Sequence, residues 1–173
     1  MDRQEYAARV AAAVDRHGVF IQAVGGREGP PFAYTVGLFA VDHPEFIMFG
    51  IPLRLAGELL NDLAFSVLRA GMRYSDGDRV QRLTAKGFAW LLTVDDSTEH
   101  LLAAHSLRDR RSPAAQHSAL PALQVVLSDR NGVWPWEPAS EEADLTLLGP
   151  PPVYGDGRDH SLPEAAVRRA QGW

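Results

Sequence analysis

The sequence contains no cysteine. That absence removes disulfides, zinc–thiolate sites, iron–sulfur clusters and thiolate nucleophiles together. It fits a reducing compartment, and the cytoplasm is the expected location. Lysine is almost missing as well: Lys86 is the only one. No apolar run approaches the roughly 18–20 residues a membrane-spanning helix needs. The longest, residues 46–51, has the length of a strand. The opening Met1-Asp2-Arg3-Gln4-Glu5 lacks the basic-then-apolar pattern of a secretory leader. A cationic surplus is absent too. The 17 Lys and Arg stand against 22 Asp and Glu, for a net charge of −5, which argues against nucleic acid as a partner. The basic cluster Arg108, Arg110 and Arg111 suits a solvated helix end.

What is present fits one globular domain. A chain of 173 residues, 46% hydrophobic, buries enough surface for a core without staples. Tyr6, Val10, Ala13 and Val14 recur at helical spacing over residues 2–16, and His17-Gly18 stops that helix. Residues 19–24 and 32–38 read as strands joined across a Gly/Pro-rich loop, which predicts an antiparallel hairpin. Residues 46–51 form a third strand, apolar on both faces. Pro52 opens a helix over 53–70, with Leu55, Leu59, Leu63 and Val67 as its stripe and Gly71 after its end. Residues 88–94 predict another strand. Asp95 or Ser97 caps a helix running to about Arg108. Residues 123–127 are a strand, and Asp129-Arg130-Asn131-Gly132 is a hairpin turn that 133–136 continue beyond. The fold class is α+β: a mostly antiparallel sheet, open to barrel-like closure, packed by two or three helices. Residues 1–138 make the domain. Residues 139–173 are an extended Pro/Gly-rich tail, with room for a short helix at 163–170.

The candidate chemistry is sparse. His43 and Glu45 are two apart, so on a strand they share a face and can serve as a ligand pair or an acid–base pair. The structural alternative is that His43-Pro44-Glu45 fixes the start of a strand, with Glu45 bonded to a backbone amide. Tyr34, on the neighbouring strand, is positioned for substrate or else satisfies its hydroxyl in the core. Asn61 and Asp62 interrupt an apolar helix, and a buried one needs partners. Trp134 and Trp136 can stack on a planar ligand or close one end of the core. No Gly-x-Ser-x-Gly elbow or Ser/His/Asp signature is present. His100 and His105, five apart, fall on different helix faces, unlike the i, i+4 pair of zinc sites. Gly25-Gly26-x-x-Gly29 runs into another strand, not into a helix N-terminus that would hold an anion. No third ligand accompanies His43 and Glu45, so no metal is expected, and no motif specifies a cofactor.

The motifs together resemble a known family. Pro-Pro-Phe-Ala-Tyr-Thr-Val-Gly-Leu (30–38), His-Pro-Glu (43–45), Phe-Gly-Ile-Pro (49–52), Leu-Leu-Asn-Asp-Leu (59–63) and Leu-Gln-Val-Val…Asp-Arg-Asn-Gly…Trp-Pro-Trp-Glu-Pro (123–138) occur in one order. Over about residues 17–138 they resemble an uncharacterised family of small bacterial domains of unknown function. The resemblance implies a compact α+β domain and carries no activity or catalytic residues. It also implies tyrosines where this chain has Leu101, His105 and Leu107.

The first expectation is a small-molecule-binding or tailoring protein of a metabolic or biosynthetic pathway. Its pocket lies between residues 32–38, the 53–70 helix and the 123–136 hairpin. Tyr34, His43 and Glu45 are the candidate catalytic residues; Asn61, Gln124, Trp134 and Trp136 are the candidates for substrate. A second is a non-enzymatic immunity-type or regulatory module that binds a partner protein. A third, by fold analogy alone, is a flavin-binding split-barrel oxidoreductase. A homodimer is compatible with all three.

Overall fold

The computed structural model describes residues 2–26, 29–84, 87–116, 118–129, 131–138, 147–152 and 157–164. Helix α1 (Arg3–His17) starts where Asp2 Oδ1 accepts the Gln4 and Glu5 N–H groups at 2.6 and 2.8 Å. It stops at Gly18, in the left-handed region at φ 83°. Strands β1 (Phe20–Val24) and β2 (Phe32–Val36) form the expected antiparallel pair. A 3-10 turn, Leu38–Val41, then leads to β3 (Glu45–Phe49), antiparallel to β2. Helix α2 (Leu53–Ala70) has the predicted bounds and buries Ala56, Leu59, Leu60, Leu63, Ala64 and Val67. Strands β4 (Arg79–Thr84) and β5 (Gly87–Thr93) pair antiparallel. Helix α3 (Leu102–Arg111), β6 (Ala122–Val126) and β7 (Asp159–Ser161) complete the order.

The seven strands make one sheet in the order β1-β2-β3-β6-β5-β4-β7. The β3–β6 and β4–β7 pairs are parallel and the other four antiparallel. The sheet is α+β and mostly antiparallel, as expected, but its order ends on β1 and β7, so it does not close into a barrel. Strand alternation sorts the side chains onto two faces. Phe46, Met48, Leu91, Leu123 and Val125 meet α2. Tyr34, Val36, Ile47, Phe49 and Ala122 meet Val10 and Val14 of α1 and Ala104 and Leu107 of α3. Farther along that second face, Trp90, Leu92 and Val126 lie under Trp134 and Trp136.

Several expectations change. The Asn131-Gly132 turn forms, with Gly132 at φ 81° and the Asp129 N–H donating to the Val133 carbonyl at 2.8 Å. No returning strand follows it, because Trp134 and Glu137 close a second turn: the Trp134 N–H donates to Glu137 Oε2 at 2.7 Å. The 123–136 hairpin is therefore a strand followed by a compact double turn. The polar stretch before Leu83 holds β4, which was not expected. Within the stretch expected as a tail, residues 159–161 form β7 and Leu162 is buried. The terminal helix expected at 163–170 falls, after residue 164, outside the described residues. Among the described residues no helix is long and apolar enough to cross a membrane.

Candidate functional site

Glu45, at the start of β3, is fully buried. The β2–β3 ladder ends at Tyr34–Ile47. Beyond it the Phe46 N–H donates to Thr35 Oγ1 at 2.8 Å, and the Thr35 hydroxyl donates to Glu45 Oε2 at 2.6 Å. Glu45 Oε1 accepts the Gly37 and Phe39 N–H groups at 2.8 and 3.2 Å. Burial pushes the Glu45 carboxyl up to about 7, although these donors pull the other way. Glu45 thus ties the chain leaving β2 to β3.

His43 does not join it. Pro44 keeps His43 outside the ladder, so strand alternation begins only at Glu45, and the expected shared face is not formed. The His43 ring packs against Phe46 and Tyr74 on the α2 side. Its Nδ1 lies 2.7 Å from the Pro44 carbonyl and its Nε2 accepts the Tyr74 N–H at 3.2 Å. A carbonyl only accepts and an amide only donates, so these partners fix the neutral Nδ1–H form. Burial lowers the His43 pKa, in agreement. Both His43 ring nitrogens are thus engaged within the fold.

The remaining candidates are scattered. Gln124 is buried in the middle of the sheet, where its Oε1 accepts the Leu148 N–H at 2.8 Å. Asn61 is exposed and borders a separate cleft of about 390 Å³ between α2, β1 and the end of α1. Trp134 and Trp136 stack on each other, with ring centroids 5.4 Å apart and planes at 5°, and lean on Trp90. The space expected to be a pocket, between residues 32–38, α2 and the 123–136 segment, is packed by Phe46, Met48, Leu60, Leu63, Leu123 and Val125.

One close pair has the outline of a nucleophile and base, but its hydrogen bonds run in the opposite sense. Ser97 Oγ lies 3.0 Å from His105 Nε2. The Ser97 hydroxyl donates to the Leu120 carbonyl at 2.8 Å, and His105 Nδ1 faces the Arg108 Nη2 donor at 3.4 Å. His105 therefore carries its proton on Nε2 and donates to Ser97, the reverse of a base activating a nucleophile. No group of three His, Cys, Asp or Glu side chains able to hold a metal ion occurs among the described residues.

Tyr34 is different. It is buried on the α1/α3 side, and its hydroxyl accepts the Ala103 N–H at 3.1 Å. Burial holds its pKa up to about 12, so it stays a neutral donor. It lies at the floor of a pocket of about 320 Å³ between α1, α3, β1 and β2. Ala7, Val10, Val24, Leu102 and Ala103 supply apolar walls, Tyr6, Gln22 and Ser106 supply polar atoms, and Arg3 and Arg110 border the cavity. The Tyr6 hydroxyl and Gln22 Oε1 are buried without a hydrogen-bond partner. Such orphaned atoms are rare in native folds, and their position inside a pocket is where a ligand would satisfy them.

A family model described as a domain of unknown function (DUF4262) matches residues 13–141. The chain belongs to the DUF4262 family. The resemblance read from residues 17–138 is thereby borne out. No curated protein and no solved structure matches the chain. Within the DUF4262 stretch lie Gln22, Tyr34, Leu102, Ala103, Ser106 and Arg110; the α1 wall of the pocket, Arg3 to Val10, precedes it. Sequence reasoning missed Gln22, Arg3 and Arg110 as site residues and noted Tyr6 only as a helix-face residue. Two signals were available. Arg3, Tyr6, Ala7 and Val10 share one helix face, and Gln22 is a lone amide on the strand face shared by Phe20 and Val24.

Proposed function

We propose that this DUF4262 domain binds a small organic molecule in the pocket between α1, α3, β1 and β2. The observation that carries the proposal is the pair of buried, unpartnered polar atoms, Tyr6 Oη and Gln22 Oε1, among the apolar side chains of the lining. A volume of about 320 Å³ stands at the small end of the roughly 300–1,000 Å³ typical of ligand sites. Binding, not catalysis, suits the lining. Tyr34 is held in its neutral form, and no histidine or carboxylate borders the cavity. The expectation of a small-molecule-binding protein acting in a metabolic or biosynthetic pathway is kept, with its site moved. The sheet is open, so nothing in its order adds support to the analogy with split-barrel flavin proteins.

The test fills the cavity. Protein purified quickly from its cells, analysed by native mass spectrometry, should carry a small molecule that Ala7→Phe abolishes while its melting temperature stays within a few degrees. A wild-type protein that carries nothing, and whose Gln22, Leu102 and Ala103 amide signals ignore a fragment library, would sink the proposal.

A further inference from the structure

We infer that the pocket takes a small organic acid: an apolar body against Val10, Val24 and Leu102, an acid group at Arg3 and Arg110, and a hydrogen-bond donor turned to Gln22. This rests on the pocket reading above and goes further by naming the chemical class.

Charge is the first argument. The whole chain is net −5, yet the pocket lining holds two arginines and no carboxylate. The carboxylates beside α3's other arginines are already engaged: Asp15 pairs with Arg111 at 2.6 Å and Asp109 with Arg108 at 2.8 Å. Among the described residues neither Arg3 nor Arg110 forms an ion pair. Arg110 Nε donates to the Ser106 carbonyl at 3.1 Å, which anchors its stem over the cavity. Two guanidinium groups at the mouth of a small, low-dielectric cleft focus a positive field onto whatever enters.

Donor and acceptor counting is the second argument. The Tyr34 oxygen is engaged by the Ala103 N–H, so its own proton is left to donate. The Gln22 amide nitrogen donates to the Ala23 carbonyl at 2.8 Å, which leaves Oε1 as a buried acceptor in need of a donor. A purely apolar ligand would leave both groups unpaired inside the complex, a loss that buried polar sites do not tolerate cheaply. An acid that also bears a hydroxyl, which both accepts and donates, satisfies the arginines, Tyr34 and Gln22 at once.

The test uses the intact protein and three probes: 4-hydroxyphenylacetate, its neutral amide 4-hydroxyphenylacetamide, and phenylacetate, which lacks the hydroxyl. Titrations at low ionic strength are followed through the Gln22, Leu102 and Ala103 amide signals. The hydroxy acid should bind about tenfold or more tighter than either of the others. Its advantage over the amide should vanish in the Arg3→Gln/Arg110→Gln variant, and its advantage over phenylacetate in Gln22→Leu. An amide that binds as tightly as the acid would overturn the inference and leave the pocket standing. Failure of all three probes while the Ala7→Phe-sensitive ligand is present would overturn it in the same way. If that ligand is absent as well, the pocket reading falls with it.

Discussion

Glu45 is the residue on which pH should act most plainly. Its carboxyl is held near 7 in the fold by burial, against about 4.5 in an unfolded chain. Between those values the folded protein keeps a proton that the unfolded chain has lost, so stability falls as pH rises. The contribution is fully present below about 4.5, is gone above about 7, and spans about 3 kcal/mol. His43 and His105 oppose it, because both are held neutral and destabilise the fold as pH drops below the usual histidine range. The comparison that isolates Glu45 is therefore wild type against Glu45→Gln, by urea denaturation at pH 5 and 7.5. The variant should gain on the wild type as pH rises; parallel pH profiles would refute the assignment. At this scale the sequence was half legible. Glu45 as a backbone-bonded side chain and Tyr34 as a satisfied buried hydroxyl were both among the alternatives read from residue type. That Tyr34 also floors a pocket was not, because the partners of its ring come from helices about 30 residues before and 70 after it.

Elements with local punctuation were readable; elements specified from a distance were not. Helix α2 has Pro52 before it, an apolar stripe and Gly71 after it, and its predicted bounds hold. Helix α3 was expected to start at an Asp95 or Ser97 cap. It starts at Leu102 with no side-chain cap of its own, and its Ala103 N–H is taken by Tyr34, 69 residues away. Strand β4 escaped notice because its buried residues, Val80 and Leu83, are three apart. A bulge between Gln81 and Thr84, with Arg82 at φ 64°, breaks the two-residue alternation. The turn after β2 shows the opposite case, a position with one acceptable residue. Gly37 sits at φ 126°, and a Cβ there would lie 2.8 Å from the Gly18 carbonyl oxygen and 2.9 Å from Val14 Cγ1. Gly37→Ala should cost about 1–3 kcal/mol in denaturant unfolding, and a variant of unchanged stability would show that the close approach to α1 is not maintained in solution.

For the molecule as a whole, the least expected feature is that the sheet is finished by the C-terminal segment. Asp78, buried at the start of β4, accepts from the Arg158 N–H at 3.1 Å, the Ser75 N–H at 2.9 Å and His160 Nε2 at 2.9 Å. Arg79 and Asp159 add a 2.8 Å ion pair. A three-residue Asp-His-Ser strand has no apolar pattern to betray it; charge and hydrogen bonding to β4 hold it there. Burial alone would raise the Asp78 pKa, but these donors outweigh it and hold the carboxyl below its usual range. The anchor is therefore present above the ordinary aspartate range and lost on acidification below it. Asp78→Asn should release β7, lower stability by about 2 kcal/mol, and speed hydrogen exchange at the Arg79 amide, which donates to the Arg158 carbonyl. Unchanged protection at Arg79 would mean β7 is held by something else. Without β7, the β4 edge would be open to pairing with another chain.

The stacked Trp134 and Trp136 give the fold an optical signature. Two stacked indoles with nearly parallel planes, centroids 5.4 Å apart, couple their excited states, and Trp90 stands edge-on to both. The pair lies on the same face as the pocket but over β5 and β6, away from β1 and β2. Circular dichroism from that exciton pair therefore serves as an unlabelled gauge of one half of the sheet while a ligand is titrated into the other.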